Sequence, residues 1–236
     1  MDSARCVVIT PYYKEPREVI ERCIASVAAQ TVPVEHLLVA DGFPQDWVDE
    51  RAFHIALPKP FYDVGNGPRA AGIRAASCAS FIAFLDVDNA YDPDHIQTCI
   101  ATANMNPGCD YVASRRRFVR YDRGNYVPSS AAEEVQGELI DTSCYFFLPQ
   151  TYHIPLDVAE NLAKHHTLWW ADEGKDLEAL RVELAKKKVT LQEGYMGDRF
   201  IYRALQRAGM RPAFTGKQTV TYTVPSEPFS AKHPKP

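Results

Sequence analysis

The chain has no run approaching about 18 consecutive apolar residues, so no transmembrane helix is expected. It also lacks paired cysteines. The six, at positions 6, 23, 78, 99, 109 and 144, contain no Cys-x-x-Cys and no compact spacing. That argues against a structural zinc site and a disulfide framework, and free thiols in a reducing cytosol are expected. No excess of one charge is present: 26 lysines and arginines stand against 30 acids, a formal net charge of −4. There is thus no overall pull toward nucleic acid or membrane. The opening MDSARCVVIT goes straight into a β-branched run without a basic, then apolar, leader. A cytoplasmic location is expected, at most peripheral to the inner face of a membrane. No internal repeat is visible.

What is present is ample apolar sequence: 46% of 236 residues, enough to bury a large core. CVVITPYY (6–13) reads as a strand stopped by Pro11, and EPREVIERCIASVAAQ (15–30) as a helix with Val19, Ile20, Cys23, Ile24 and Val27 at helical spacing. EHLLVADG (35–42), FHIALP (53–58) and FIAFLDVD (81–88) read as further strands, with a small-residue helix after YDVGNGP (62–68). Asp92 is expected to cap the next helix, with Pro93 in its first turn. Strands alternating with single helices imply right-handed crossovers and an α/β, Rossmann-like, mostly parallel sheet with helices on both faces. Beyond residue 110 the texture changes. Residues 110–130 read as a hairpin, LIDTSCYFFLP (139–149) and QTVTYTV (218–224) as strands, and 156–166, 172–188 and 196–209 as helices.

The sharpest local feature is FIAFLDVDNAYDPDH (81–95), an apolar run that ends in four aspartates within nine residues. Asp92 and Asp94 are explained by starting a helix. On an extended strand Asp86 and Asp88 project to one side, beyond the carboxyl end where open parallel sheets bind ligands. One or two carboxylates completed by substrate phosphates is a common way to hold Mg²⁺ or Mn²⁺. Asp41 ends another strand on the same expected rim. The loop 63–68 opens a helix whose amino terminus and Arg69 are suited to a diphosphate. An ordinary strand-to-turn corner remains the alternative for each of these acids.

VVITPYY, LLVADG, GPRAAGIRAAS and FIAFLDVDN occur in the order and spacing of family 2 glycosyltransferases of the GT-A fold, and GYMGDRFIYRALQRAG resembles the family's late acidic motif heading a helix. The resemblance covers roughly residues 5–210. It implies that Pro11 and Tyr13 lie near the nucleotide base and that Asp41 reads it. Arg69 would meet the diphosphate or donor sugar, Asp86 the ribose or metal, and Asp88 the metal. Asp198 would be the catalytic base. Gly42 stands where a second acid is frequent, Ala70 where an asparagine often follows the arginine, Asn89 where a third aspartate is common, and Gly197 for the first late acid.

The implied activity is a metal-dependent, inverting transfer from a nucleotide-sugar, a UDP-sugar by family habit, to an acceptor hydroxyl on a glycan, a lipid-linked carrier or another molecule. Residues 1–110 would form the donor half of a single GT-A domain, and 111–236 a smaller antiparallel acceptor half with the base and tail. Two alternatives stay open: a sugar-phosphate nucleotidyltransferase, disfavoured because ITPYYKEP rather than a glycine-rich loop follows the first strand, and an inactive nucleotide-sugar-binding module. Trp169 and Trp170 are candidate acceptor platforms, although core packing explains either. His233 is a candidate additional metal ligand, as a late histidine is in some GT-A enzymes. The arginine-rich 114–123 segment suits either an anionic acceptor or a solvated edge hairpin. The charged helix 175–188 is a candidate dimer contact.

Overall fold

The computed structural model describes residues 4–61, 63–122, 125–128, 140–170 and 197–224. Strand β1 (Cys6–Tyr12) is buried throughout, as expected of a β-branched run at the centre of a sheet. It pairs in parallel with β2 (Glu35–Ala40) and β4 (Phe81–Phe84), and β2 pairs in parallel with β3 (Phe53–Ala56). Contrary to the sequence expectation, Pro11 does not stop β1. Pairing with β4 ends at Ile9, so Pro11 lies where β1 has a partner on the β2 side alone, and its missing N–H is tolerated there.

Helix α1 (Arg17–Ala28) buries Ile20, Cys23, Ile24 and Val27 of the face read from its spacing, while Val19, next to Ile20 at the edge of that face, is only half-buried. Helix α2 (Asn66–Ala75) packs on β1 and β2. Strand β4 is shorter than its apolar run suggests. Leu85 still donates to Ile9 O at 3.1 Å, but the chain then turns, with Asn89 N–H returning to Asp86 O at 2.9 Å. Asp86 and Asp88 therefore sit on a turn, not on an extended strand. After the short β5 (Ala90–Tyr91), α3 (His95–Met105) begins past Asp94 rather than at Asp92. Asp92 gives its carboxylate to Arg117 instead, and only its backbone carbonyl accepts from His95 N–H.

The second half continues the same sheet. Strand β6 (Tyr111–Asp122) pairs antiparallel with β7 (Asn125–Pro128) and with β8 (Tyr145–Phe147), but parallel with β9 (Pro212–Val224). The order is β3-β2-β1-β4-β8-β6-β9-β5, with β7 on β6, so the sheet is parallel in its first four strands and mixed beyond. Helix α4 (His153–Trp170) packs on α2, and α5 (Gly197–Arg207) packs on α4. All six cysteines are free thiols, and among the described residues no helix is long and apolar enough to cross a membrane.

Candidate functional site

The carboxyl ends of β1, β2 and β4 share one rim because the three strands run parallel, and most of the residues singled out in the sequence lie on it. Asp41 follows β2 and is buried. Its N–H donates to Tyr12 O at 2.7 Å, and its Oδ1 accepts the Phe61 N–H at 2.8 Å. Gly42 has φ +79°, and a Cβ there would lie 2.4 Å from Pro60 N. An acid at this position would be both strained and without space, which accounts for the departure from the family pattern. Tyr13 meets Phe43 edge-on at 4.8 Å, and Lys14 Nζ lies 4.0 Å from the Phe43 ring centroid.

The loop into α2 approaches this rim closely. A Cβ on Gly65 (φ +83°) would lie 2.9 Å from Pro11 Cβ and 3.3 Å from Arg69 Nη1, so Pro11, Gly65 and Arg69 are packed together. Val64 is held at φ 58°, an uncommon conformation for a β-branched residue, and its carbonyl accepts from Arg69 Nη1 at 3.0 Å. Arg69 Nη2 hydrogen-bonds to Asp86 Oδ1. One guanidinium thus joins the loop before α2 to the acid turn after β4.

Asp63, which the sequence reading passed over, is fully buried at the head of the same helix. Its Oδ2 accepts the Gly67 N–H at 2.5 Å, whereas its Oδ1 has no hydrogen-bond partner. Burial pushes this carboxyl up to about 6, with the charge of Asp41 acting in the same direction and Arg69 and the Gly67 N–H opposing. The available signal was only an acid in the loop leading into a helix; its bond to the Gly67 N–H spans four residues, and the N-cap position itself is Gly65.

The acid turn is braced from behind. Ser143 Oγ accepts the Asp86 N–H at 3.1 Å and the Asn89 side-chain amide at 2.9 Å, while Asn89 Oδ1 accepts the Thr223 N–H at 3.0 Å. Asn89 is fully buried and ties the turn to β9; an aspartate there would bring a charge and no amide donor. Arg22 donates to Asp88 O at 2.9 Å and lies 3.7 Å from the Tyr126 ring centroid.

Asp198, in the first turn of α5, comes to the same place from the other side. Burial raises its pKa, the Arg199 N–H and the Arg116 charge lower it, and the Asp86 charge raises it. Asp141 joins them, another residue the sequence reading did not single out. It accepts from Arg116 Nη1 at 2.7 Å and caps a short 3₁₀ turn through the Ser143 N–H at 2.9 Å. Burial pushes Asp141 up to about 6, the Asp86 and Asp198 charges act with it, and Arg116 opposes. Asp86, Asp141 and Asp198 therefore form one electrostatically linked group, and nothing in their sequence spacing announces it. A small cleft lined by Asn66, Arg69, Phe84, Thr142, Ala159 and Ile201 lies where α2, α4 and α5 meet.

The arginine-rich strand is not a solvated edge: β6 is flanked by β7, β8 and β9. Arg116 faces Asp141, and Arg117 pairs with Asp92 and donates to Gln218 O at 3.1 Å. Trp169 and Trp170 end α4, but their side chains lie outside the described residues, as do His233 and the charged segment 175–188.

Among the described residues, no group of three or more His, Cys, Asp or Glu converges on one point as a self-sufficient metal site. The residues do fit a partial one. Asp86 and Asp88 stand at the first and third positions of a turn whose backbone is fixed by Ser143, Arg22 and Thr223, and the charges of both raise the pKa of Tyr222. Two hard oxygen donors on a held turn suit Mg²⁺ or Mn²⁺ completed by phosphate and water.

Residues 7–159 match the profile of Glycosyl transferase family 2. Among curated proteins, Succinoglycan biosynthesis protein ExoW of Rhizobium meliloti (strain 1021) is 32% identical over 102 residues, which are 39% of this chain and 32% of that protein. Among solved structures, S. aureus TarS 1–349 in complex with UDP superposes with a TM-score of 0.58 at 16% identity, covering 93% of this chain and 60% of that one. The same protein in complex with UDP-GlcNAc gives 0.58 at 13% identity, covering 97% and 61%. At that identity the likeness is one of fold. The chain spans about a third of the curated relative and about 60% of the solved chains.

Proposed function

The chain belongs to glycosyl transferase family 2, and on that premise we propose that it moves a sugar from a nucleotide-sugar, a UDP-sugar in the first instance, to an acceptor hydroxyl with inversion at the anomeric carbon. The observation that carries this reading is the position of Asp86. It pairs with Arg69 on the donor rim and lies within electrostatic reach of Asp198 on the opposite side. A donor cation and a candidate base therefore face each other across one acid turn. The UDP and UDP-GlcNAc in the TarS complexes support the choice of donor class.

In this mechanism Asp41, with Pro11 and Tyr13 beside it, takes the base of the donor. Arg69 is the permanent cation nearest the expected diphosphate. Its guanidinium stabilises the charge that develops there as the glycosidic bond breaks, in a buried site where such an interaction is strong. Asp88, with Asp86, would hold a divalent ion, which when bound supplies further charge neutralisation to the leaving diphosphate. On the other face Asp198 accepts the proton of the attacking hydroxyl. Burial favours its neutral form, so its raised pKa makes it a better base than a solvated carboxylate. The donor half 1–110 and acceptor half 111–236 then meet at the acid turn, with Trp169, Trp170 and His233 as candidate acceptor and metal contacts.

The test is a thermal-shift screen of nucleoside diphosphates and UDP-sugars with Mn²⁺, followed by product analysis of donor turnover. Selective stabilisation by UDP, and release of UDP with a free or transferred sugar, are expected. Equal response to every nucleotide, or none, would remove the reading.

A further inference from the structure

Tyr12, the last residue of β1, holds both ends of the loop that carries Asp41. Its backbone carbonyl accepts the Asp41 N–H at 2.7 Å, and its phenol oxygen accepts the Gln45 N–H at 3.0 Å. The Gln45 side chain is committed as well, donating to Glu15 O at 3.0 Å and accepting from Trp47 Nε1 at 2.8 Å. Phe43, midway along the loop, meets the Tyr13 ring. Residues 41–45 have no helix or strand of their own, so these bonds set where Asp41 and Phe43 stand on the rim.

Behind the phenol lies a buried relay. Tyr12 is 2% exposed, its hydroxyl lies 2.8 Å from His54 Nε2 on β3, and the two rings stack with centroids 5.7 Å apart. His54 Nδ1 in turn lies 2.8 Å from Asp49 Oδ1, on the 3₁₀ turn Asp46–Glu50. The imidazole is 4% exposed, whereas the Asp49 side chain is 67% exposed. The direction of each bond follows from its partners. A carboxylate only accepts, so Nδ1 of the neutral imidazole carries the ring proton and Nε2 is bare. The phenol proton therefore goes to Nε2, which leaves the phenol oxygen to accept from Gln45. Each bond in such a chain polarises the next and strengthens that acceptor.

We propose that Tyr12 and His54 are positioning residues for the nucleoside end of the donor, with Asp49 fixing the imidazole tautomer that the arrangement needs. The inference rests on reading the rim at Asp41 as the base site. The phosphate end is built separately, from Arg69, the loop before α2 and the acid turn. Loosening the relay should thus weaken base recognition and spare phosphate recognition. A merely structural network predicts another pattern, in which UDP and pyrophosphate weaken together or not at all.

The experiment is a calorimetric titration of the full chain with UDP and with inorganic pyrophosphate, each with Mn²⁺, at about pH 8, where an ordinary imidazole is neutral. Tyr12→Phe keeps the ring and removes the hydroxyl. Its affinity for UDP is expected to fall about five- to tenfold, the order of one hydrogen bond, with pyrophosphate affinity unchanged. Asp49→Ala, at the exposed end of the relay, should act in the same direction, and Asp49→Glu should restore binding in part. In the parent without ligand, the ¹⁵N shifts of His54 should report a protonated Nδ1 and a bare Nε2. Unchanged UDP affinity in Tyr12→Phe, an equal loss of UDP and pyrophosphate, or a parent with the proton on Nε2 overturns the inference. Should Tyr12→Phe fail to fold, Asp49→Ala is read in its place. A parent that does not bind UDP removes the base-site reading itself, and the inference with it; a parent that binds UDP keeps that reading whatever the variants do.

Discussion

Arg69 and Asp86 lie 17 positions apart and meet side chain to side chain at the rim of the sheet, guanidinium on carboxylate. The chain climbs β4 antiparallel to the preceding helix, which brings the first turn of α2 and the end of β4 to the same height. The pair is mostly buried, with 9% and 26% of the two side chains exposed, so neither charge is readily satisfied by water. The arrangement keeps a cation ready beside an acid turn, and several consequences can be measured.

Arg69→Ala would leave Asp86 without its partner and the donor rim without its cation. Turnover is expected to fall by about 10²-fold or more, the order seen when a transition-state charge partner is removed. UDP with Mn²⁺ should stabilise the variant much less than the parent in a thermal-shift assay. A variant with parental turnover would show that another group meets the diphosphate.

Asp63 should make stability fall as pH rises. Its carboxyl is raised by burial from 3.8 to about 6 in the fold, so the native state binds more protons than the unfolded chain between those values. Its contribution is fully present below about pH 4 and is lost as pH rises through about 6. Asp63→Asn retains an acceptor for the Gly67 N–H and removes the buried charge. It is expected to melt no lower than the parent at pH 7.5, with a relative gain of up to about 3 kcal/mol. Denaturant unfolding at pH 4.5 and 7.5 checks both the sign and the window.

Much of the fold was legible in the sequence, and the reasons are local. The face of α1 follows from apolar spacing, the burial of β1 from its β-branched run, and the end of α5 from Gly209. That Asp41, Arg69 and Asp86 lie on one rim of the sheet was legible because each ends or begins a recognisable element. The misreadings came from contacts across the sheet. Asp92 looked like a helix cap because the sequence does not show Arg117 arriving from β6. Asp86 and Asp88 looked like strand residues because nothing local reveals that Asn89 will be drawn onto Ser143 and Thr223. Asp141 was missed, and Arg116 was read only as one of a charged run, for the same reason: they are 25 residues apart, and the pairing of β6 with β8 brings them together.

Gly42→Asp, which would introduce an acid frequent in the family at this position, is expected to destabilise the protein. The backbone is left-handed there, and a Cβ would overlap Pro60. The conformational penalty alone is about 1–2 kcal/mol, and the overlap adds to it. A lower melting temperature for Gly42→Asp, with a smaller loss for Gly42→Asn, is the expected pattern; an unchanged melt would mean that the loop at Pro60 yields freely.

Asp88→Asn removes one of the two carboxylates on the turn while leaving the backbone carbonyl that Arg22 and Thr223 hold. The fold should therefore survive, with a melting temperature near that of the parent. Donor turnover should need a much higher Mn²⁺ concentration, and excess chelator should abolish parental activity. Full parental activity in chelator would sink the assignment of a metal to this turn.

Asp198→Asn separates binding from chemistry. The substitution keeps the size of the side chain and an acceptor for the Arg199 N–H, so UDP with Mn²⁺ should stabilise the variant as it does the parent. Transfer to the acceptor should fall by about 10²–10⁴-fold, the usual contribution of a positioned general base. The parent supplies a second signature. Burial raises the Asp198 pKa, and the active form is the ionised one, so activity must rise with pH through a midpoint above that of an ordinary aspartate. The limb ascends because protonation on the acid side removes the base. A rate flat across that range, or near-parental transfer in Asp198→Asn, would move the base to another group, and Asp141, already raised to about 6 beside it, would be the first to examine.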